Sequence, residues 1–135
     1  MVVYKVVDGH HGMYTSYAAW CMADDVWVEY KLGEVTHPSI PGSRLFAFDT
    51  LANAIRYSVE HGRRPILVCR CGDARPFQGL IPRVPFAARA WVDGSVIVPE
   101  GCIGLSVPAG TILVDWLKPL NLVNDLREVG SGNSI

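Results

Sequence analysis

The chain opens on "MVVYKVVD", in which Val3, Lys5 and Val7 fall on one side of an extended backbone and Val2, Tyr4 and Val6 on the other. This period-two pattern, followed by Gly9, predicts a strand with one wholly apolar face. Further on, "MYTSYAAW" and "DVWVEYKLGEV" read as extended segments, and Val26, Val28 and Tyr30 alternate with Trp27, Glu29 and Lys31. The two prolines and glycine of "HPSIPG" (37–42) predict a loop, and "RLFAF" is a short strand after it. At "DTLANAIRYSVEHG" (49–62) the period becomes helical. Leu51, Ala54, Ile55, Ser58 and Val59 share a face, Asp49 or Thr50 can accept the first free amides, and Gly62 can end the helix in the left-handed region.

"RRPILVCRC" then returns to a strand, so 44–71 is a strand, helix, strand unit compatible with a parallel crossover or with a mixed sheet. "VPFAARAWVDG" (84–94) suits a short helix and an irregular strand equally. The apolar runs of "SVIVPEG", "CIGLSVPAG" and "TILVDWLKPLNLV", punctuated by proline and glycine, predict antiparallel strands joined by turns. The expected fold class is therefore α+β, a mixed, mainly antiparallel sheet with one clear amphipathic helix over 49–62. It forms a single domain over 1–127 with a flexible tail at 128–135.

A chain of 135 residues that is 50% hydrophobic can build a core without disulfides or a metal. With no apolar run of the roughly 18 residues a membrane helix needs, and no basic start before a long apolar stretch, the expected location is the cytoplasm. In that compartment Cys21, Cys69, Cys71 and Cys102 read as reduced, buried thiols. The "CRC" spacing offers only half a zinc site, so no metal and no cofactor is expected. Only 19% of residues are charged and mean hydropathy is +0.21, which predicts apolar surface hidden between subunits of a homo-oligomer.

Net charge is −1, but it is unevenly spread. From Arg56 to Arg89 there are seven arginines, no lysine and two acids, Glu60 and Asp73, which gives this window +5 and the remainder −6. Guanidinium groups present a planar fork to phosphate or carboxylate. Arg70, between Cys69 and Cys71, faces outward if the thiols face the core, and Arg75 and Arg83 bracket a loop rich in glycine and proline that also carries Phe77. Taken singly, these arginines read as solvated charges, and Arg75 as a partner for Asp73. Taken together, Arg70, Arg75, Phe77, Arg83, Arg89 and Trp91 are the candidate binding residues for an anionic, nucleotide-like small molecule. Trp20, Trp27 and Trp116 read as core. No GxSxG, P-loop or GxGxxG motif is present, so no catalytic residue is assigned. A sequence pI near 6.4 disfavours duplex nucleic acid as a partner.

The order "VYKVV", "VEYKLGEV", "PGSRLFAFDTLANAIRYSVEHG", "PILVCRC" and "VPAGTILVDWLKPL" resembles a loose group of small single-domain proteins encoded by phages, large viruses and bacteria. The likeness covers most of the chain and implies viral or bacterial origin. If phage-encoded, the protein acts in the host cytoplasm, and a small phage protein that holds a nucleotide would sequester an immune signal of its host. The "FAFDTLANAIRYS" step from strand to helix is also similar to the ADP-ribosyltransferase-like fold. That likeness implies an NAD-using enzyme with His10 and Glu100 in the outer roles and no match for the middle one. The expected function is thus a non-enzymatic protein that binds a phosphorylated or nucleotide-type molecule. The alternatives are the NAD-using transferase and a host-protein-binding or structural module.

Overall fold

A computed structural model describes residues 1–10, 13–17, 28–39, 43–77, 80–82, 91–92, 95–98, 100–101 and 103–123. The fold is α+β, a mostly antiparallel sheet with one helix. Its central strand, β1 (Val2–His10), pairs antiparallel with β5 (Ile66–Gly72) on one edge. The other edge is shared by β4 (Leu45–Phe48), at Tyr4, and β2 (Met13–Ser16), from Val7 onward. β4 and β5, the two strands of the predicted strand, helix, strand unit, therefore run the same way with β1 between them.

The sheet closes on itself. β12 (Trp116–Leu122) lies beside β5, and the short β6 (Arg75–Pro76) lies beside β11 (Thr111–Val114). The pairings Gly72 with Trp116 and Arg75 with Leu113 keep one register, so β5–β6 and β12–β11 form a single bent ribbon with its corner at Asp73, Ala74 and Asp115. β11 in turn pairs with β4, which returns the sheet to β1. At the other end, β3 (Glu29–Tyr30) pairs with β2, and the chain after it bridges Thr36 to Leu117 of β12. The outcome is a small barrel.

Period-two alternation decides what lies inside it. Val3, Val7, Leu45, Ala47, Leu67, Cys69, Ile112, Val114, Leu117 and Tyr30 form the interior cluster. Lys5 shares that inward face, packing its ammonium 5.7 Å from the centre of the Tyr30 ring. The wholly apolar face of β1 that the sequence suggested is thus the outer one. Val6 is covered there by the helix α1 (Leu51–Glu60), while Val2 stays exposed.

α1 forms where the helical period begins. Thr50 is its N-cap, accepting from the Asn53 amide at 3.2 Å, and Gly62 follows its end at φ +87°. Ala54, Tyr57 and Ser58 are buried, whereas Val59, placed on the inner face by spacing, is exposed. Tyr57 takes the place in the core through ring contacts with Phe48 and Tyr17. A second outer cluster, Phe46, Leu113 and Ile81, is roofed by the ladder of β7 (Leu80–Pro82) and β10 (Gly104–Ser106). β8 (Trp91–Val92) and β9 (Ser95–Val96) make a separate two-residue hairpin. The expected tail, 128–135, lies outside the described residues, as do Cys21, Cys102, His11, Trp20 and Trp27. Cys69 is buried and Cys71 half-buried, both as free thiols.

Candidate functional site

The segment from Arg75 to Arg83, expected to be a loop, carries two short strands among its described residues. β6 docks on the edge of β11, and β7 belongs to the outer roof. Docking fixes where Arg75 and Phe77 point. Arg75 sits opposite Leu113, an outward residue, so it stands on the outer surface of the barrel. Phe77 donates its amide to the Thr111 carbonyl at 3.1 Å and sets its ring edge-on to Phe46, centroids 5.9 Å apart. Gly72 makes room for an aromatic ring. The Trp116 indole lies on it so closely that a Cβ would overlap the ring.

Arg75 and Phe77 line one groove of about 450 Å³ together with Met1, Asp49, Gly110 and Thr111. Small-molecule sites run from about 300 to 1,000 Å³. The floor is built by the turn into β11. Gly110 adopts φ +81°, its carbonyl accepts the Asp49 amide at 3.0 Å, and the Thr111 hydroxyl donates to the Pro108 carbonyl at 2.6 Å. One Asp49 carboxylate oxygen accepts from the Asn53 side chain at 3.0 Å, beside the helix cap.

Charges near the groove are balanced. Arg75 donates to Asp73 at 3.0 Å, and Arg44 reaches both Asp73 at 3.4 Å and Asp115 at 2.8 Å. Arg44 is the buried member, with 10% of its side chain exposed, and it ties the two sides of the ribbon corner together. Both Arg75 and Asp73 are more than half exposed, so this pair contributes little to stability.

The other predicted residues are dispersed. Arg70 is exposed on β5, as the alternation required, opposite Val2 and Lys118, and is not among the residues that line the groove. Arg83 and Arg89 lie outside the described residues, and Trp91 belongs to β8. Arg64, from the same basic window, pairs with Asp8 at 2.8 Å and stacks 4.6 Å over Tyr17. Asp49 and Thr111 were not foreseen as site residues, because each reads locally as a capping or strand position. For the transferase comparison, His10 ends β1 and Glu100 is exposed in a turn.

The displaced ionisations belong to the barrel and its seam. Burial lowers the Lys5 amine to about 8, against a smaller opposing effect of Cys69. Burial also raises the Cys69 thiol to about 12 and pushes Cys71, Tyr30 and Tyr57 upward. Among the described residues, no group of three or more histidine, cysteine, aspartate or glutamate side chains is placed to hold a metal ion, and no helix is long and apolar enough to cross a membrane. Compared with protein-family models, curated proteins and solved structures, the chain matches none.

Proposed function

We propose that the protein binds a small phosphorylated molecule of nucleotide type in the groove between β6 and the turn before β11, and holds it without converting it. One observation carries this reading: Arg75, Phe77 and Asp49 converge on a single groove of suitable volume. Arg75 supplies a fork for phosphate, the Phe77 ring an apolar surface for a base or sugar, and Asp49 an acceptor for hydroxyl groups. A phage protein working this way would act by sequestration.

The test is a thermal-shift screen against inorganic phosphate, ribose 5-phosphate, mononucleotides, cyclic nucleotides and NAD. A phosphorylated member should raise the Tm by several degrees when its concentration is far above its Kd, and Arg75→Ala and Phe77→Ala should each lose that rise. No shift with any member would refute the reading. The same reading takes the protein as a homo-oligomer, supported by exposed Leu80, Ile103 and Leu105 near the β7–β10 ladder. Sedimentation velocity showing a monomer at all concentrations would remove that part.

A further inference from the structure

Among the described residues, β10 is paired on one side only, with β7. The register sets Gly104 opposite Pro82, Leu105 opposite Ile81 and Ser106 opposite Leu80. Pro82 has no N–H, so Gly104 and Pro82 cannot exchange two bonds, and the alternation of an antiparallel ladder makes Leu105 and Ile81 the bonded pair. The N–H and C=O groups of Gly104 and Ser106 therefore point away from β7. Among the described residues they meet no backbone partner on that side. Ile103, Leu105 and Ser106 are all exposed. Alternation puts Ile103, Leu105 and Val107 on one face of the strand, where Val107 packs against Phe46, Ile81 and Leu113.

Sheet edges are normally guarded by charge, by proline or by a covering element. The stretch "GCIGLSV" (101–107) contains no charged residue and no proline. We propose that β10 pairs antiparallel with the β10 of a second copy about a two-fold axis at Leu105, an inference that rests on the homo-oligomer reading above and assigns its contact. The edge is complementary to itself. Gly104 of each chain exchanges two backbone bonds with the partner's Ser106, Leu105 faces the partner's Leu105, and Ile103 faces the partner's Val107. A strand of another protein would use the same backbone groups; charge is what singles out a second copy. On a self-paired edge every charge near the axis meets its own kind, which is destabilising, and this edge carries none. The two-fold consumes both open edges, so assembly closes at two chains instead of growing into a fibre.

Sedimentation velocity from about 1 µM to about 1 mM would be run on the wild type, Leu105→Lys and Leu105→Glu, with urea midpoints to check that each variant folds. The wild type should dimerise as concentration rises. Each charged variant alone should stay monomeric, because like charges then meet across the axis, and an equimolar mixture of the two should recover the dimer. Val59→Lys, which charges an exposed apolar position on α1, should dimerise as the wild type does. Leu105→Cys gives a second readout. Residues facing each other in a non-bonded antiparallel pair lie about 4.5 Å apart at Cα, within the span a disulfide bridges, so mild oxidation should link two copies through this position in peptide mass spectra. A wild type that is monomeric throughout would overturn both this proposal and the homo-oligomer reading. A dimer that persists in both charged variants, or that gives no linkage through position 105, would overturn the β10 assignment alone.

Discussion

Replacing Gly72 with alanine tests whether the corner of the β5–β12 ribbon is held by the indole of Trp116. A Cβ on Gly72 would overlap Nε1 and stand 2.7 Å from Cδ1 and Cε2, about 1 Å inside the usual carbon contact distance of about 3.5–4.0 Å. Trp116 is half-buried, so its ring can yield only by giving up part of its packing. Overpacking of this kind costs about 1–3 kcal/mol. The alanine backbone itself favours a strand over glycine by roughly 0.5–1 kcal/mol, which leaves a net loss of about 1–2 kcal/mol. With Trp116 already replaced by alanine, Gly72→Ala should instead be neutral or stabilising by up to about 1 kcal/mol. Urea unfolding of the wild type, both single variants and the double variant measures the coupling, which should be about 2 kcal/mol. A coupling below about 0.5 kcal/mol, within the error of additive sites, would show that the ring does not sit on Gly72.

Thr50→Ala should cost about 1 kcal/mol by urea unfolding, through loss of the cap on Asn53. Arg44→Ala should cost about 1–2 kcal/mol, because it removes a largely buried guanidinium shared by Asp73 and Asp115. Arg75→Ala should cost less than about 0.5 kcal/mol, since its pair is exposed, and the two urea midpoints compared side by side check the difference. Stability should also depend on pH in a defined way. The Lys5 amine is lowered to about 8 on folding, so between about pH 8 and 10.5 the unfolded chain holds more protons at this residue and stability rises with pH. Above about pH 9 the raised Cys69 thiol acts in the opposite sense, because the unfolded thiol ionises first, and the raised Tyr30 and Tyr57 hydroxyls join it as the pH nears 10 and together outweigh Lys5. Urea midpoints should therefore climb from pH 7.5 to about 9 and fall beyond it, and Lys5→Met should abolish the climb.

The fold class and the helix were legible in the sequence because both rest on local periodicity and capping: Thr50, the 3.6-residue spacing and Gly62 act within a few residues of one another. Which face of β1 lies inside was not legible. Closure depends on the long-range pairing of β11 with β4 and on the ribbon corner, and only closure turns the face bearing Lys5 inward. Tyr57 was missed for a similar reason, since it is buried by rings from β4 and from Tyr17 rather than by position on its own helix. The basic window pointed to Arg75 and Phe77, which the fold does bring together, but a charge count cannot see that Arg75 faces Asp73 or that Arg64 faces Asp8. Asp49 and Thr111 enter the groove from elements about 60 residues apart, a juxtaposition that no spacing rule contains.

A phosphorylated small molecule held in this groove would perturb the backbone amides that line it. The most direct measurement is amide chemical-shift mapping of ¹⁵N-labelled protein titrated with the strongest phosphorylated ligand from the thermal screen, in the wild type and in Arg75→Ala. Saturable shifts should be concentrated at Asp49, Arg75, Phe77, Gly110 and Thr111, with affinity at least tenfold weaker in the variant. Shifts that leave these residues still, or an Arg75→Ala protein that binds as tightly as the wild type, would contradict it.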